Sequence, residues 1–402
     1  MTVSPTARWA RLFPGTNVSL LHVTTCSDAL HDLGWTGRHF VSSGNASAPE
    51  QWSEAASNQS PAATGRWRMS TSCVPLHSRA GLPQLRCMGY DLHCKPEAAP
   101  CAASTTAFIN TTLFTLHPAQ HSAGAKPVQH VTASDGGLAT FTGFPKPLLT
   151  NRALKGGSCG DGADCAAYSY AAYPGVGLAH QLRTGGFLQL VGASMTEAAS
   201  NHSYSMFAMV SKDGSIWKPR AVVPEGSCTE LSENDWVYQS DNTTLFAVFR
   251  NAGPAETLCA SRSTTEGRVW STAAVLALPN PSNVLPRLAC LMNGLLTLST
   301  GRIGLFLYTS ANNGTSWHSL DVALNHNVLS SSVSDRYSEA FVRGAGDSTM
   351  STSYTSLVAY EGTNTVQVCY DRLANGWDKA PGSYGNSTAI FCSKMSLTAK
   401  SV

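Results

Sequence analysis

The sequence predicts an all-β fold, a six-bladed β-propeller of four-stranded antiparallel blades, with residues 1–402 forming one domain. Three observations lead there: a repeat that ends in tryptophan, a succession of short β-rich runs between turn residues, and no helical periodicity from residue 170 onward. Three segments end alike, "SKDGSIW" at 211–217, "STTEGRVW" at 263–270 and "SANNGTSW" at 310–317. Their tryptophans, Trp217, Trp270 and Trp317, stand 53 and 47 residues apart, the length of one four-stranded blade.

In each segment a glycine precedes the tryptophan by three positions, at Gly214, Gly267 and Gly314. That spacing suits a tight turn in which Ser and a short polar side chain bond the local backbone, Gly adopts positive φ, and Trp tucks beneath. A more degenerate copy is "TASDGGLATF" at 132–141. The strands come next. "TTLFAVF" (243–249), "GLLTLST" (294–300), "GLFLYTS" (304–310), "SYTSLVAY" (353–360) and "TVQVCY" (365–370) are short, rich in β-formers and bounded by Gly, Asn or Asp. Closing such sheets into a ring leaves few free edges, which suits a chain with few charged residues to guard them.

Composition narrows the function. A chain of 402 residues is too long for one simple core and must be two domains or one modular fold. Charged residues make up 13%, about half the usual share, hydrophobic ones 43%, and the net charge of +2 gives no field for nucleic acid or anionic membrane. No apolar stretch reaches the ~18 residues of a membrane span. The twelve histidines form no HxH or HExxH pattern and the cysteines no CxxC pair, so neither a metal nor an organic cofactor is implied.

The twelve cysteines are an even number: Cys26, Cys73, Cys87, Cys94, Cys101, Cys159, Cys165, Cys228, Cys259, Cys290, Cys369 and Cys392. Asn17, Asn45, Asn110, Asn201, Asn242, Asn313 and Asn386 open N-x-[ST] acceptors, and an eighth at Asn58 is followed by Pro61, a poorer context. Together they point to an oxidising, glycosylating compartment: secreted, at the cell surface, or in a lysosomal or endomembrane lumen. The opening "MTVSPTARWARLFPG" lacks the apolar core of a signal peptide, so this expectation rests on the cysteines and acceptors. Residues 1–104, with five cysteines and three acceptors, read as early blades with disulfide-pinned insertions. Residues 151–170 read as a loop that Cys159 and Cys165 are placed to bridge.

The turn S-x-D-x-G-x-x-W is the Asp box of the sialidase (neuraminidase) superfamily, and this chain resembles that pattern with departures. At 310–317 Asn312 replaces Asp, at 263–270 Thr265 stands there, and 211–217 is one residue short. The boxes speak to fold; chemistry needs other residues. "SENDWVYQSDNTTLFAVFR" (232–250) resembles the family's strand pair that starts near a catalytic Glu and ends in Arg. "NGLLTLSTGRIGLFLYTSANNGTSW" (293–317) is similar to the next blade, and "TSYTSLVAYEGTNTVQVCYDR" (352–372) to the one that carries the nucleophilic Tyr. The resemblance covers roughly 172–377 and implies Glu233 as base, Tyr354 as nucleophile, and Arg250 and Arg302 as two of three carboxylate-binding arginines. For the third arginine and an Asp acid/base, the N-terminal region offers Arg8 or Arg11 with Asp28 or Asp32 in a poorly matching context. The interval from Arg302 to Tyr354 is long, and 318–346 reads as an inserted loop near the pocket.

The chemistry is consistent with these types. Sialic acid carries a carboxylate on its anomeric carbon, which planar guanidinium groups grip in a bidentate fork. A carboxylate nucleophile would be repelled by it, so such enzymes use Tyr, outside the usual two-carboxylate scheme. A phenol of pKa about 10 then needs a base and nearby positive charge. The expectation is an exo-α-sialidase-like retaining hydrolase acting on sialylated glycans or glycoproteins. Its rival is a non-catalytic propeller that binds glycans or proteins. Each residue also has a plainer role open to it: Tyr354 as a strand tyrosine, the arginines as rim caps, and Glu230 or Asp235 in place of Glu233. If most cysteines are paired, thiol titration of the denatured, unreduced protein will find few reactive groups; ten or twelve would reverse the compartment assignment.

Overall fold

The computed structural model describes the strands within 4–116, 140–141 and 170–173, and residues 177–398 apart from 197–201, 215, 253–256, 281, 344–349 and 374–388. Side chains are described from residue 177 onward, outside 193–205 and 215–219. The described chain is all-β apart from short helices. The first sheet joins Ser4–Leu12 (β1), Ser19–Cys26 (β2), Trp35–Ser42 (β3), Trp52–Ala55 (β4), Arg66–His77 (β5), Pro83–Cys94 (β6) and Thr106–Leu116 (β7). The second joins Thr140–Phe141 (β8), Tyr170–Tyr173 (β9), His180–Gln181 (β10), Phe187–Thr196 (β11), His202–Ser211 (β12) and Ile216–Val223 (β13).

The next two sheets have the expected four-stranded antiparallel form. One is Leu231–Tyr238 (β14), Leu245–Asn251 (β15), Leu258–Ser263 (β16) and Ala274–Val275 (β17). The other is Val284–Cys290 (β18), Leu296–Gly301 (β19), Leu305–Ser310 (β20) and His318–Asp321 (β21). The last sheet is Thr355–Ala359 (β22), Thr365–Arg372 (β23) and Ala389–Ser396 (β24).

Strands buried on both faces show how the sheets stack. Along β15, Leu245, Ala247 and Phe249 pack with Leu188, Leu190, Met206 and Trp236, toward the second sheet. The intervening Phe246 and Val248 pack with Leu296, Leu298, Phe306 and Trp317 of the following sheet. Side chains alternate across a strand, so a run buried on both sides reads as continuously apolar, which is how "LFAVF" reads. In β20, Phe306 and Tyr308 face that same layer, while Leu305 and Leu307 join Leu357, Val366 and Val368 of the last sheet. Each of the two four-stranded sheets is thus a slab between two neighbours.

The tryptophan-ended turns lock those slabs. Ser211, Ser263 and Ser310 each accept the backbone N–H of the turn glycine through Oγ, at 2.9, 3.0 and 2.9 Å. Gly214, Gly267 and Gly314 adopt φ of 78°, 78° and 80°. In the two full-length turns, Thr265 Oγ1 accepts Val269 N–H at 2.8 Å and Asn312 Oδ1 accepts Ser316 N–H at 2.9 Å. Those departures from Asp keep the acceptor oxygen. Trp270 and Trp317 are buried, and the turns reach the preceding sheet: Arg220 donates to Glu266 O at 2.8 Å and Arg262 to Asn313 O at 3.1 Å.

Where an inserted loop was expected at 318–346, the chain forms Val322–Leu329 (α1), a 3₁₀ turn at Val333–Asp335, and Glu339–Val342 (α2). Asp321 caps α1 by accepting Leu324 N–H, and Ser338 caps α2 by accepting Phe341 N–H. The insert is packed rather than loose. His326, Tyr337 and Phe341 are buried, and His326 meets the rings of Tyr370 and Phe391 at 5.8 and 4.6 Å.

Cys228–Cys259 and Cys369–Cys392 are disulfides, and among the described residues Cys290 is a free thiol. Cys159 and Cys165, most of the degenerate repeat at 132–141, and the side chains of Asn17, Asn45, Asn110, Asn201 and Asn386 lie outside the described residues. Asn242 sits exposed in the β14–β15 turn, and Asn313 is half-buried with Oδ1 accepting Ser240 Oγ at 3.0 Å.

A Cβ on Gly314 would stand 2.9 Å from Phe246 Cζ, whereas one on Gly362, at a similar φ of 68°, meets nothing. Gly314→Ala is expected to destabilise by about 1–3 kcal/mol more than Gly362→Ala, because only the former overpacks a core ring. Urea unfolding of both variants measures this; equal losses would show that the turn does not lock the sheets.

Candidate functional site

The four residues singled out in the sequence come together at one end of the sheets. β14 and β18 are each bulged near their first residues, between Leu231 and Asn234 and between Val284 and Arg287. A bulge re-aims side chains and frees backbone from the ladder. Glu233 lies in the first bulge and Leu285, with φ of 35°, in the second. The Leu285 N–H donates to Glu233 Oε2 at 2.9 Å, and Arg250 Nη1 to that same oxygen at 3.3 Å. The other oxygen, Oε1, accepts the Tyr354 hydroxyl at 2.5 Å. One buried carboxylate is therefore shared by the sheets that start at β14, β18 and β22.

Arg302 stands at the end of β19. Its Nη2 donates to Thr352 O at 3.1 Å and its guanidinium lies 5.6 Å from the Tyr354 ring centroid. Gly301 permits that approach: a Cβ there would be 2.7 Å from Ser353 Cβ and 2.3 Å from Gly304 O. Glu233 is 8% exposed, while Arg250, Arg302 and Tyr354 keep partial access to solvent. A phenol hydrogen-bonded to a carboxylate beside two guanidinium groups can lose its proton and can face an anionic ligand.

The two other acidic residues considered for this role lie elsewhere. Glu230 is exposed in a turn at φ 57°. Asp235 is buried and holds His180 Nε2 at 2.6 Å through Oδ1 and the Leu288 N–H at 2.9 Å through Oδ2. Burial raises its pKa, but His180, Arg287 and the Leu288 N–H outweigh that and hold it below its ordinary 3.8. Arg287, absent from the sequence reading, is 2% exposed and donates to Asn234 O at 3.1 Å. The clue available was its place three residues after Val284 in the hydrophobic strand start "NVLPRLAC". The side chains of Arg8 and Arg11, on β1, and residues Asp28 and Asp32 lie outside the described residues.

Asp371 was also missed. It is buried at the end of β23 and accepts the hydroxyls of Ser351 and Thr352 and the Thr352 N–H. Burial drives its pKa up to about 6, with those hydrogen bonds pulling the other way. Among the described residues no group of His, Cys, Asp and Glu is placed to hold a metal ion.

Stacked antiparallel sheets, two tryptophan-ended turns that each bind their sheet to the one before, and polar residues gathered at one end of the inner strands define a propeller-type β protein. The chain belongs to the family of BNR repeat-like domains, which matches residues 93–366, and the recognised likeness to the Asp-box propellers of the sialidase superfamily rests on that match and on the turns. None of the curated proteins matches it. Among solved structures, a protein of unknown function from Dyadobacter fermentans is 14% identical with a TM-score of 0.58, over 98% of this chain and 94% of that one. An α-L-arabinofuranosidase of Fusarium graminearum solved with arabinobiose is 9% identical, TM-score 0.53, over 98% and 93%. An α-L-arabinanase of Penicillium chrysogenum, also with arabinobiose, is 10% identical, TM-score 0.50, over 98% and 93%. These likenesses are likenesses of fold.

The Asp235 pairings carry a pH signature. A carboxylate held below its ordinary 3.8 contributes stability that is fully present above that value and lost progressively as pH falls from there through the lower folded value. Asp235→Asn is expected to destabilise by about 3 kcal/mol at pH 7, by leaving the buried Arg287 without its compensating charge. Its deficit should shrink below pH 3.8, which denaturant titrations at stepped pH will show; a deficit constant down to pH 2.5 would contradict the pairing.

Proposed function

We propose that this chain is a retaining glycoside hydrolase of exo-α-sialidase type, with Tyr354 as nucleophile, Glu233 as its base, and Arg250 and Arg302 as the clamp for the substrate carboxylate. The observation that carries the reading is the 2.5 Å hydrogen bond from Tyr354 Oη to Glu233 Oε1, flanked by both guanidinium groups. In the first step Tyr354 Oη attacks the anomeric carbon as Glu233 takes its proton, and the aglycone departs with a proton from an acid outside these four residues. Water then attacks the anomeric carbon, giving a proton back to that acid's conjugate base, as the bond from the carbon to Tyr354 Oη breaks and the phenol recovers its proton from Glu233. The arginines keep the sugar carboxylate in register and stabilise phenolate character.

The architecture proposed with it is a single domain of six blades over residues 1–402. The seven-stranded first sheet divides naturally, because β3 and β5 meet through a single parallel pair, Thr36 with Arg68. β1–β4 and β5–β7 then read as two blades, and the proximity of β1 to β22 and β23 supports closing the ring there. The two disulfides support a secreted or lumenal location, with Asn242 and Asn313 as acceptors on the described surface. No helix among the described residues is long and apolar enough to cross a membrane.

The test is cleavage of a fluorogenic sialoside beside an α-L-arabinofuranoside, the sugar class of the neighbouring structures. Wild type should cleave the sialoside. Tyr354→Phe should keep the fold and lose at least about 10³-fold in kcat, since no neighbouring group replaces an activated phenol. Arg250→Lys and Arg302→Lys should raise KM although charge is kept, and Glu233→Gln should lower kcat with little change in KM. The control is Tyr370→Phe. If Tyr354→Phe loses no more than that control, the nucleophile is misassigned; cleavage of the arabinofuranoside alone replaces the substrate class; binding of sialosides without cleavage makes the chain a glycan-binding propeller.

A further inference from the structure

Tyr354 and Arg302 belong to different sheets yet share one short support, the Ser351–Thr352–Ser353 turn just before β22. Thr352 O receives the Arg302 guanidinium at 3.1 Å. Thr352 Oγ1 accepts the Tyr354 N–H at 3.4 Å, and Ser351 Oγ accepts the Ser353 N–H at 2.8 Å. Ser353 holds φ of 60°, a conformation that a serine keeps only where its surroundings over-determine it. All three residues are buried.

The hydroxyls of Ser351 and Thr352, and the Thr352 N–H at 3.1 Å, converge on the Asp371 carboxylate, which is fully buried. From the other side the helical insert closes over the same strand end. Tyr337 Oη donates to Asp371 O at 2.6 Å, and Arg372 Nε donates to Arg336 O at 3.0 Å. A charged acceptor in a low-dielectric interior forms strong, directional hydrogen bonds, and donors gathered around it cannot turn elsewhere without leaving it uncompensated.

We propose that Asp371 is a positioning residue: its carboxylate organises the 351–353 turn and thereby sets both the Tyr354 hydroxyl against Glu233 and the Arg302 guanidinium beside the Tyr354 ring. This rests on the reading of Tyr354 as nucleophile, but it has a structural content of its own. Asp371 touches no reacting atom. It acts through two hydroxyls and one backbone amide, and its loss moves the chemical and the binding group together.

The experiment uses the full-length chain with Asp371→Asn, Thr352→Val and Thr352→Ser. Thr352→Val keeps shape and removes the hydroxyl; Thr352→Ser keeps the hydroxyl. At a temperature where circular dichroism shows each variant folded, Asp371→Asn and Thr352→Val should lose at least about 10-fold in kcat and raise KM several-fold, because displacement by an ångström costs on the order of 100-fold. Thr352→Ser should stay near wild type. Backbone hydrogen exchange at 352–354 should quicken in the first two variants and not in the third. A residue that only stabilises the fold would lower the active fraction and leave KM unchanged, and that result overturns the proposal. If the wild type cleaves no sialoside, the nucleophile reading fails alone and exchange decides: quickened amides at 352–354 in Asp371→Asn uphold the positioning role, and unchanged amides overturn it.

Discussion

A carboxylate taken out of water must have its lone pairs met, or it is protonated or expelled. Glu233 meets that demand by drawing on three sheets: a backbone N–H from β18, a guanidinium from β15 in its own sheet, and a phenol from the approach to β22. Much of the local geometry follows from this need. The bulge in β14 frees Glu233 from a regular pleat, and the bulge in β18 with its left-handed Leu285 aims an N–H across the gap. The sheets converge because each supplies part of one solvation shell.

The opposite end of the same strands has a different task. There the turns carry tryptophan, glycine and a hydroxyl, and those ending in Trp270 and Trp317 bind their sheets to the preceding one through an arginine donating to a carbonyl. The hairpin of β14 and β15 holds Glu233 and Arg250 at one end and the Asn242 turn at the other, separated by most of the strand length. The locking end is built of packed rings and turn hydrogen bonds, and the other end gathers polar, partly accessible groups. Asp371 and Asp235 show how far local surroundings matter: burial wins at the first and pushes its pKa to about 6, while His180 and Arg287 win at the second and pull it down.

The locking end was legible in the sequence because its period is covalent. Gly267 and Gly314 stand at fixed offsets from Trp270 and Trp317, and the runs buried on both faces read as unbroken apolar strands. The gathering of Glu233, Arg250, Arg302 and Tyr354 was legible only through the order of segments around them. Choosing Glu233 over Glu230 and Asp235 needed the bulge, since a regular strand would turn Glu233 and Asp235 to the same side. The helical insert was misread because "VALNHNVL" has no charged residue and a weak apolar stripe, and its two capping residues, Asp321 and Ser338, were the only local sign. Asp371 and Arg287 escaped notice because their partners are remote in sequence, 19 and 53 residues away for Thr352 and Asn234.

The three turns carry one further consequence. Asp213, Thr265 and Asn312 each stand two residues after the turn serine and share a single chemical property, a side-chain oxygen one or two bonds from Cβ. In two of them that atom accepts the amide four residues on. The letter pattern with Asp fits none of the three at full spacing; the acceptor oxygen picks out both full-length turns. Within this chain the acceptor oxygen keeps its place in both turns while the residue that carries it changes.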